Sequence, residues 1–505
     1  MPYFWLAILG WITYLILKRS VPPLKGQQLW LLWLVMMSPS LLWIGWTMTN
    51  PSEPIPPLLV FGSFMVCSFL YLLMLRNWRG ELPSEQGARS GEAAAGEGAS
   101  NAAKAAAALQ ASRSDRPKPK PPLTNDEEAL LRQCFAWNTF FINKVEYRLQ
   151  AVVCQGQLRT EPEQAYQAIK ENVEGKFGDR FLVLLQEDFQ GKPFFALVPN
   201  PQASPKLRKL FTTHYRFGLA ALLLLLTLFT TALIGTGLAG VPIESIADLS
   251  NSPEILLKGL PYALPLLLIL GIHESGHFFA ARHYRLKTTL PYFIPVPYFL
   301  GTFGAFIQIR SPMPNRKVLF DVGVAGPLAG LVVALPLMFW GIVHSEVVPV
   351  QPESSFLNFE ALNPRISILM TLLGRLLLGS ALTENSALQL HPVAIAGYLG
   401  LMVTALNLMP IGQLDGGHMV HAMFGQKGGA IIGQVTRVLV ICLAFLQRDL
   451  WIWAFMLLLI PAMDEPALND VSELDDRRDG LGLATLVILL LIILPVPPGL
   501  ANWLL

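Results

Sequence analysis

Long apolar runs, separated by charged or proline-rich segments, dominate this 505-residue chain. A transmembrane helix needs about 20 apolar residues, with a lower limit of about 17. The pattern predicts about ten spans, at residues 3–17, 29–47, 57–75, 217–240, 260–281, 318–343, 392–408, 430–445, 451–460 and 483–496, of which the first is marginal in length and the one at 451–460 is short. We therefore expect a polytopic α-helical membrane protein.

The composition supports a membrane protein. Hydrophobic residues make up 53% of the chain and charged residues 14%, whereas about 25% of the residues in a soluble protein are charged. Basic loops stay in the cytoplasm. Lys18, Arg19, Arg76 and Arg79 flank the same side of the first three spans, so we expect residue 80 onward to lie inside and both termini outside. The net charge of +2 gives no reason to expect a nucleic-acid partner.

Shifts in composition divide the chain into four parts. Residues 1–79 form an N-terminal unit with three predicted spans. Residues 80–122 are rich in Gly, Ala, Ser and Glu and end in a proline-rich run, a composition that predicts a disordered linker. Residues 123–205 mix charged and apolar positions, as a small soluble α+β domain does, and residues 206–505 form the second membrane region.

The soluble segment shows a helix-and-strand pattern without catalytic motifs. The predicted elements are a helix at 125–134, a strand at 140–153, an amphipathic helix ending near 174, and strands at 181–185 and 193–198. Thr160 and Glu163 have the spacing of a capping box at the start of the second helix. The segment contains no nucleophile motif, phosphate loop or metal-ligand cluster. We therefore expect a substrate filter or docking module rather than a second active site.

The apolar run at 268–281 carries the clearest chemistry. It contains His273, Glu274 and His277 in the order His-Glu-x-x-His, which is the spacing of zinc peptidases. Residues four apart on a helix share one face, so both histidines can reach one metal ion. Glu274 is placed to take a proton from a water molecule at that metal. The competing interpretation is an interfacial helix with two surface histidines, because this short motif also occurs by chance.

A catalytic zinc site usually has a third protein ligand, and Asp415 is the best candidate. It follows the span at 392–408, at the depth expected for the histidines. Asp-Gly-Gly is also an ordinary turn signal, so a simple turn remains open. Acidic residues of the polar, solvated run at 462–479 compete for the role. His418 and His421 are more simply explained as packing or hydrogen-bonding residues.

Residues 288–317 are apolar but too rich in proline and glycine for a long helix. Apolar, non-helical backbone at membrane depth must be covered by protein or line a cavity. Residues 305–310 alternate like a strand, which predicts either an edge that captures extended substrate or a re-entrant loop that only shields the site. The small residues at 323–330 predict close helix packing, and 366–378 is a candidate surface helix.

Two motifs together carry a family resemblance. His273-Glu274-x-x-His277 and Asn407-x-x-Pro410-x-x-x-x-Asp415-Gly, each at a hydrophobic helix, resemble the site-2 protease family of intramembrane metalloproteases. Further segments look like the EGY-type branch of plastids and cyanobacteria: Pro291-Tyr-Phe-Ile-Pro, Gly301-Thr-Phe-Gly-Ala-Phe, Ala325-Gly-Pro-Leu-Ala-Gly and Leu468-Asn-Asp. That branch has a Gly-Asn-Leu-Arg motif in its soluble domain. Here the matching stretch begins at Gly156 and has glutamine as its second residue.

The resemblance implies a fold and a reaction. Residues 206–505 would be the protease core, with one Zn²⁺ bound by His273, His277 and Asp415, and with Glu274 as general base. Asn407 would hold substrate or the developing oxyanion. The expected activity is cleavage of transmembrane helices of membrane-protein substrates near the cytoplasmic side, within the lipid bilayer. No transit-peptide pattern precedes the first span, so a plasma or thylakoid membrane of cyanobacterial type is expected.

An inactive scaffold or a metal transporter would show sequence features that differ from those of a protease. A catalytically inactive membrane scaffold of the same family would lack one of the four site residues, and all four are present. A metal transporter would carry ligands on several helices along a path across the bilayer. Here the candidates cluster near one predicted surface, so both alternatives are less favoured.

Overall fold

A computed structural model provides the fold. Apart from isolated positions, it describes residues 26–50, 125–148, 151–188, 190–200, 217–241, 252–296, 300–350, 358–383, 386–446, 450–461 and 463–497. The predicted spans at 3–17 and 57–75 and the predicted linker at 80–122 lie outside these continuous ranges. The chain divides into two compact units, residues 1–116 and 117–505. Helix α1, Gly26–Thr49, belongs to the first unit and contains the predicted span at 29–47.

The soluble part of the second unit is a four-stranded sheet with two helices, as far as its described residues extend. In chain order its elements are α2 Asn125–Cys134, β1 Phe140–Arg148, β2 Ala151–Leu158, α3 Pro162–Phe177, β3 Phe181–Glu187 and β4 Pro193–Pro199. The strand order is β1-β2-β4-β3, with all neighbours antiparallel. Helix α3 buries Ala165, Tyr166, Ile169 and Val173, which form the apolar stripe of an amphipathic helix.

Two sequence predictions in this domain are wrong in detail. The single strand expected at 140–153 is the hairpin β1–β2, in which Arg148 lies opposite Ala151. A two-residue connection preserves the period-two alternation, so the pattern runs through the turn. The predicted capping box is absent from helix α3. Glu161 is the N-cap without a side-chain cap hydrogen bond, because Pro162 takes the first helical position and sets where the helix starts.

The described part of the membrane region is a helical bundle with two short two-stranded sheets. Its described elements are α4 Phe217–Leu238, α5 Leu260–His283, β5 Tyr292–Pro295, β6 Thr302–Phe306, α6 Arg316–Val343, β7 Glu346–Pro349, α7 Ile368–Leu378, β8 Ser386–Gln389, α8 Pro392–Asn407, α9 Asp415–Leu446, α10 Trp451–Leu459 and α11 Asp476–Ile493. Helix α9 bends at Gly425, whose φ is +75°. Helix α6 packs against α5, α8 and α9.

Five helices of the described chain are long and apolar enough to cross a membrane. They contain residues Leu29–Trp46, Phe217–Leu238, Pro253–His283, Arg316–Val343 and Asp415–Phe445. The protein is therefore a mostly helical membrane protein with a small sheet-containing region. The expectation of about ten spans is not confirmed. The segments predicted at 392–408 and 451–460 are helices of only 16 and 9 residues.

Among the described residues of 288–317, strands β5 and β6 are followed by irregular backbone up to the start of α6. Strands β5 and β6 pair antiparallel, with Tyr292 opposite Phe306. The strand predicted at 305–310 starts earlier, at Thr302. Residues beyond Phe306 instead bond back to the segment after α5, with Arg310 N–H donating to the carbonyl of Lys287 at 2.8 Å.

The segment at 463–475 contradicts the expectation of a polar, solvated run. Asp464, Asn469 and Asp470 are buried, Asn469 completely. Their side chains bond to helices and strands brought from elsewhere in the sequence, which a local polarity pattern does not reveal. The last helix also starts earlier than predicted, at Asp476, because Asp475 accepts a capping hydrogen bond from Arg478 N–H at 3.1 Å.

Candidate metal centre

Helix α5 carries His273, Glu274 and His277. The two histidines are one turn apart and face the same side, as the spacing requires. All three side chains are buried, with exposed fractions of 3%, 8% and 8%. Polar side chains inside an apolar bundle need polar partners, because leaving them unpaired is costly.

Two glycines of α6 bring its backbone against both imidazoles. A side-chain carbon at Gly326 would overlap the ring of His277. A side-chain carbon at Gly330 would lie 3.1 Å from His273 Nδ1, which is also too close for an ordinary contact. The small residues predicted to mediate helix packing therefore make room for the histidines as well.

Asp415 opens helix α9, and the glycines after it explain how it is placed. A side chain at Gly416 would overlap the carbonyl of Leu408, and one at Gly417 would overlap the carbonyl of Gly412. The first turn of α9 can pack against the preceding loop only without these side chains. Asp-Gly-Gly is therefore the start of a helix rather than a free turn.

The structure brings His273, His277 and Asp415 together as a group able to hold a metal ion. The two Nε2 atoms are 3.3 Å apart. Asp415 Oδ2 lies 3.4 Å from His273 Nε2 and 3.2 Å from His277 Nε2. Three donor atoms from two helices, separated by more than 130 residues of sequence, thus form a nearly equilateral triangle.

These donors fit zinc in type and spacing. Zinc takes imidazole nitrogen and carboxylate oxygen at about 2.0–2.2 Å, with tetrahedral geometry at protein sites. Tetrahedral angles at those lengths require donors about 3.3–3.5 Å apart, which matches the three separations. Three protein donors leave one tetrahedral position for water or substrate, as in catalytic rather than structural sites.

A hydrogen bond at the second ring nitrogen of His277, Nδ1, supports metal binding through its Nε2. His277 Nδ1 lies 2.8 Å from the carbonyl oxygen of Val322. A carbonyl only accepts, so Nδ1 carries the proton and the Nε2 lone pair faces the donor triangle. Such a bond fixes the tautomer of a metal-binding histidine. Sequence reasoning missed Val322, because its contribution comes from the backbone.

A cavity of about 590 Å³ opens onto this group. Glu274 lines it, and the backbone of Ile307 hydrogen-bonds the Glu274 carboxylate. Asn407, at the C-terminal end of α8, also lines the cavity, and its Nδ2 lies 3.2 Å from His273 Nε2. All five sequence-predicted site residues therefore meet at one cavity. Residues 305–309 and 311–313 also line it.

A second polar cluster lies one to two turns beyond Asp415, and the sequence did not reveal its two buried carboxylates. His421 Nδ1 and Nε2 face Asp464 Oδ2 at 2.8 Å and Asp470 Oδ1 at 2.9 Å. His418 Nδ1 also lies 2.8 Å from Asp464 Oδ2. Burial raises the pKa of Asp464, but the hydrogen bonds from the two histidines outweigh it and lower the pKa to about 2. The expectation of a hydrogen-bonding role for His418 and His421 agrees with these contacts.

Sequence comparisons find a family match for the membrane part of the second unit and another for its soluble part. Residues 261–446, which include all five candidate residues, match Peptidase family M50. Residues 129–205 match the EGY3 middle domain. The chain therefore contains an M50 (site-2 protease) peptidase domain, preceded by a domain of the EGY type. Within the M50 match, the donor triangle joins the first and last helices of the matched region.

This chain is similar to curated plant proteins along most of its length. It is 30% identical over 376 residues to "Probable zinc metalloprotease EGY2, chloroplastic" of Arabidopsis thaliana, covering 73% of this chain and 65% of that protein. It is 29% identical over 412 residues to "Probable zinc metalloprotease EGY1, chloroplastic" of Oryza sativa subsp. japonica, covering 75% and 69%. The chain thus spans about two thirds of the length of these relatives. No solved structure matches significantly.

Proposed function

We propose that this protein is a zinc-dependent intramembrane endopeptidase that cleaves transmembrane segments of membrane-protein substrates near the cytoplasmic side. The donor triangle of His273, His277 and Asp415, with Glu274 at the same cavity, carries the proposal. An M50 match and relatives named as zinc metalloproteases support it.

The residues have distinct roles in this reaction. Zinc, when bound, supplies Lewis acidity that activates water and polarises the scissile carbonyl. Glu274 accepts the proton of the attacking water and passes it to the leaving amine. His277 is held for metal binding by the Val322 carbonyl. Asn407 lies beside the metal-facing nitrogen of His273 and donates to the oxyanion that develops on the substrate.

The cavity suits an unwound substrate. A helical peptide bond is shielded by its own side chains and hydrogen bonds, so a substrate helix must open before attack. Residues 305–309 line the cavity beside Glu274, and Gln308 and Ile309 already bond through their backbones to 288–289. We assign this wall to the extended substrate segment, with the side chains of the cavity excluding bulk water.

The orientation and location follow from the same proposal. Arg282 in the last turn of α5, with Arg285 and Lys287 just after it, supports a cytoplasmic location for the metal-proximal end of that helix. The soluble domain then lies on the cytoplasmic side of a cyanobacterial-type plasma or thylakoid membrane. Protease protection of residues 123–205 in sealed membrane vesicles tests this orientation.

The activity is tested with Glu274→Gln in purified, detergent-solubilised protein. The probe is a panel of single-span reporter proteins whose transmembrane segments contain helix-weakening Gly or Asn residues. Wild type is expected to release a shortened product from at least one reporter. The variant is expected to release none while binding zinc like wild type, because a side-chain amide cannot accept the proton that the Glu274 carboxylate takes.

The control is Glu254→Gln, which makes the same change at an exposed position outside the cavity, at the approach to α5. It is expected to cleave like wild type. Normal turnover by Glu274→Gln would contradict the assignment of the general base. Loss of zinc from that variant would show that Glu274 holds the metal site together instead.

A further inference from the structure

Residues 467–470, here called the bridging segment, connect the soluble domain to the membrane core. On one side they pair with β3: Leu185 N–H donates to the Leu468 carbonyl at 2.7 Å, and Asp470 N–H donates to the Leu185 carbonyl at 2.9 Å. On the other side they pair with the entry to α6, through Leu468 N–H to Met313 O at 2.8 Å and Asn469 N–H to Pro314 O at 2.9 Å. The bridging segment therefore extends the domain's sheet into the core.

Asn469 is the centre of this connection. It is fully buried and forms parallel bridges with both Leu185 and Asn315. Its Nδ2 donates to Glu163 Oε2 of α3 at 3.1 Å. Asn315 is the N-cap of α6, the helix whose glycines contact the two imidazoles. One buried residue thus joins a strand and a helix of the soluble domain to the start of α6.

Asp470 continues the connection to the helix of the third metal donor. Its carboxylate faces His421 Nε2, while Asp464 faces Nδ1. Both carboxylates only accept hydrogen bonds, so both ring nitrogens donate and His421 bridges them as an imidazolium. His421 lies six residues after Asp415 in α9. This arrangement, here called the His421 clamp, fixes the first two turns of α9 relative to the bridging segment.

We propose that the soluble domain is a positioning element of the metal site, and that it acts through the bridging segment and the His421 clamp to hold Asp415 against the two histidines. This inference rests on the proposed function, because it assumes that the donor triangle binds metal. Asp470 and His421 are positioning residues, not catalytic ones, since neither is a donor in the triangle. Ligand donors supported by hydrogen-bonded partners bind metal about 10–100-fold more tightly than unsupported ones.

Metal binding alone tests the inference, with Co²⁺ as the probe because its visible spectrum reports coordination geometry. Metal-free, full-length protein is titrated with Co²⁺ in detergent. Asp470→Asn removes one charge from the clamp, and Gln186→Leu removes the bond from the soluble domain to the Ala467 carbonyl, which measures 2.8 Å. Glu473→Gln is the matched control, because it makes the same kind of change at an exposed neighbouring position.

We expect Asp470→Asn to bind Co²⁺ about 10–100-fold more weakly, with a shifted spectrum. Gln186→Leu should shift affinity in the same direction by a smaller factor, and Glu473→Gln should match wild type. Hydrogen exchange at the β1–β2 hairpin checks that each variant is folded. If Asp470→Asn misfolds, Gln186→Leu decides the question.

Affinities and spectra equal to wild type in both variants, with faster amide exchange at 468–470, would overturn the inference and leave the proposed function standing. A wild type that binds no Co²⁺ would overturn the proposed function, and this inference with it. The two failures are therefore distinguishable.

Discussion

Replacing Gly326 with alanine tests whether helix packing sets the metal site. The added carbon would lie 2.5 Å from His277 Cε1 and closer to two other ring atoms, whereas carbons in contact are separated by about 3.5–4.0 Å. The ring or the helix must therefore shift by more than about 1 Å to restore an ordinary contact. Functional sites tolerate displacements of only about 0.5 Å, so we expect zinc affinity to fall by about 100-fold or more.

A graded series makes this prediction specific. At Gly330 the added carbon would lie 3.1 Å from His273 Nδ1, so a shift of a few tenths of an ångström suffices and a loss of about tenfold or less is expected. Gly237 in α4 has open space around it, and its alanine variant should bind zinc like wild type. The assay is zinc competition with a chelator on purified protein, with helicity checked by circular dichroism. Wild-type affinity in Gly326→Ala would refute the packing argument.

Three further predictions follow from the same geometry. Asn407→Ala should keep zinc but lower kcat by about 10²–10³-fold, the cost of one oxyanion donor; unchanged kcat on a cleaved reporter would exclude that role. Gly416→Ala should destabilise the fold, because the side chain would overlap the Leu408 carbonyl; thermal unfolding in detergent measures this, and an unchanged Tm would contradict it. The pKa of Asp464 is lowered to about 2 in the folded protein, from about 3.9 when unfolded. Its contribution to stability is thus present above about pH 4 and lost as pH falls toward 2. The Tm difference between wild type and Asp464→Asn should shrink across that window, and a constant difference would argue against the assigned hydrogen bonds.

Local patterns predicted the helices and the chemistry they carry. The lengths of the apolar runs located α4, α5 and α6, and the four-residue spacing of His273 and His277 placed the two histidines on one face. The β3 and β4 strands were found because their alternation and flanking turn residues are local signals. The pairing of Asp415 with the histidines came from the family resemblance and from matching depth, not from spacing.

Long-range contacts account for what local patterns missed. Asp464 and Asp470 look like residues of a solvated loop until α9 brings His418 and His421 to them. Asn469 is buried by a strand of the soluble domain and by the entry to α6, which lie far away in sequence. Val322 acts through its carbonyl, so no side-chain pattern could identify it. In each case the tertiary partner, rather than the residue type, determines the role.

The metal content of the purified protein tests the central claim most directly. Wild type and Asp415→Ala are compared by elemental analysis after removal of free metal. We predict about one zinc per chain in wild type and little or none in the variant, because the third donor is lost. No zinc in a folded wild type, or equal zinc in both proteins, would contradict the site built from His273, His277 and Asp415.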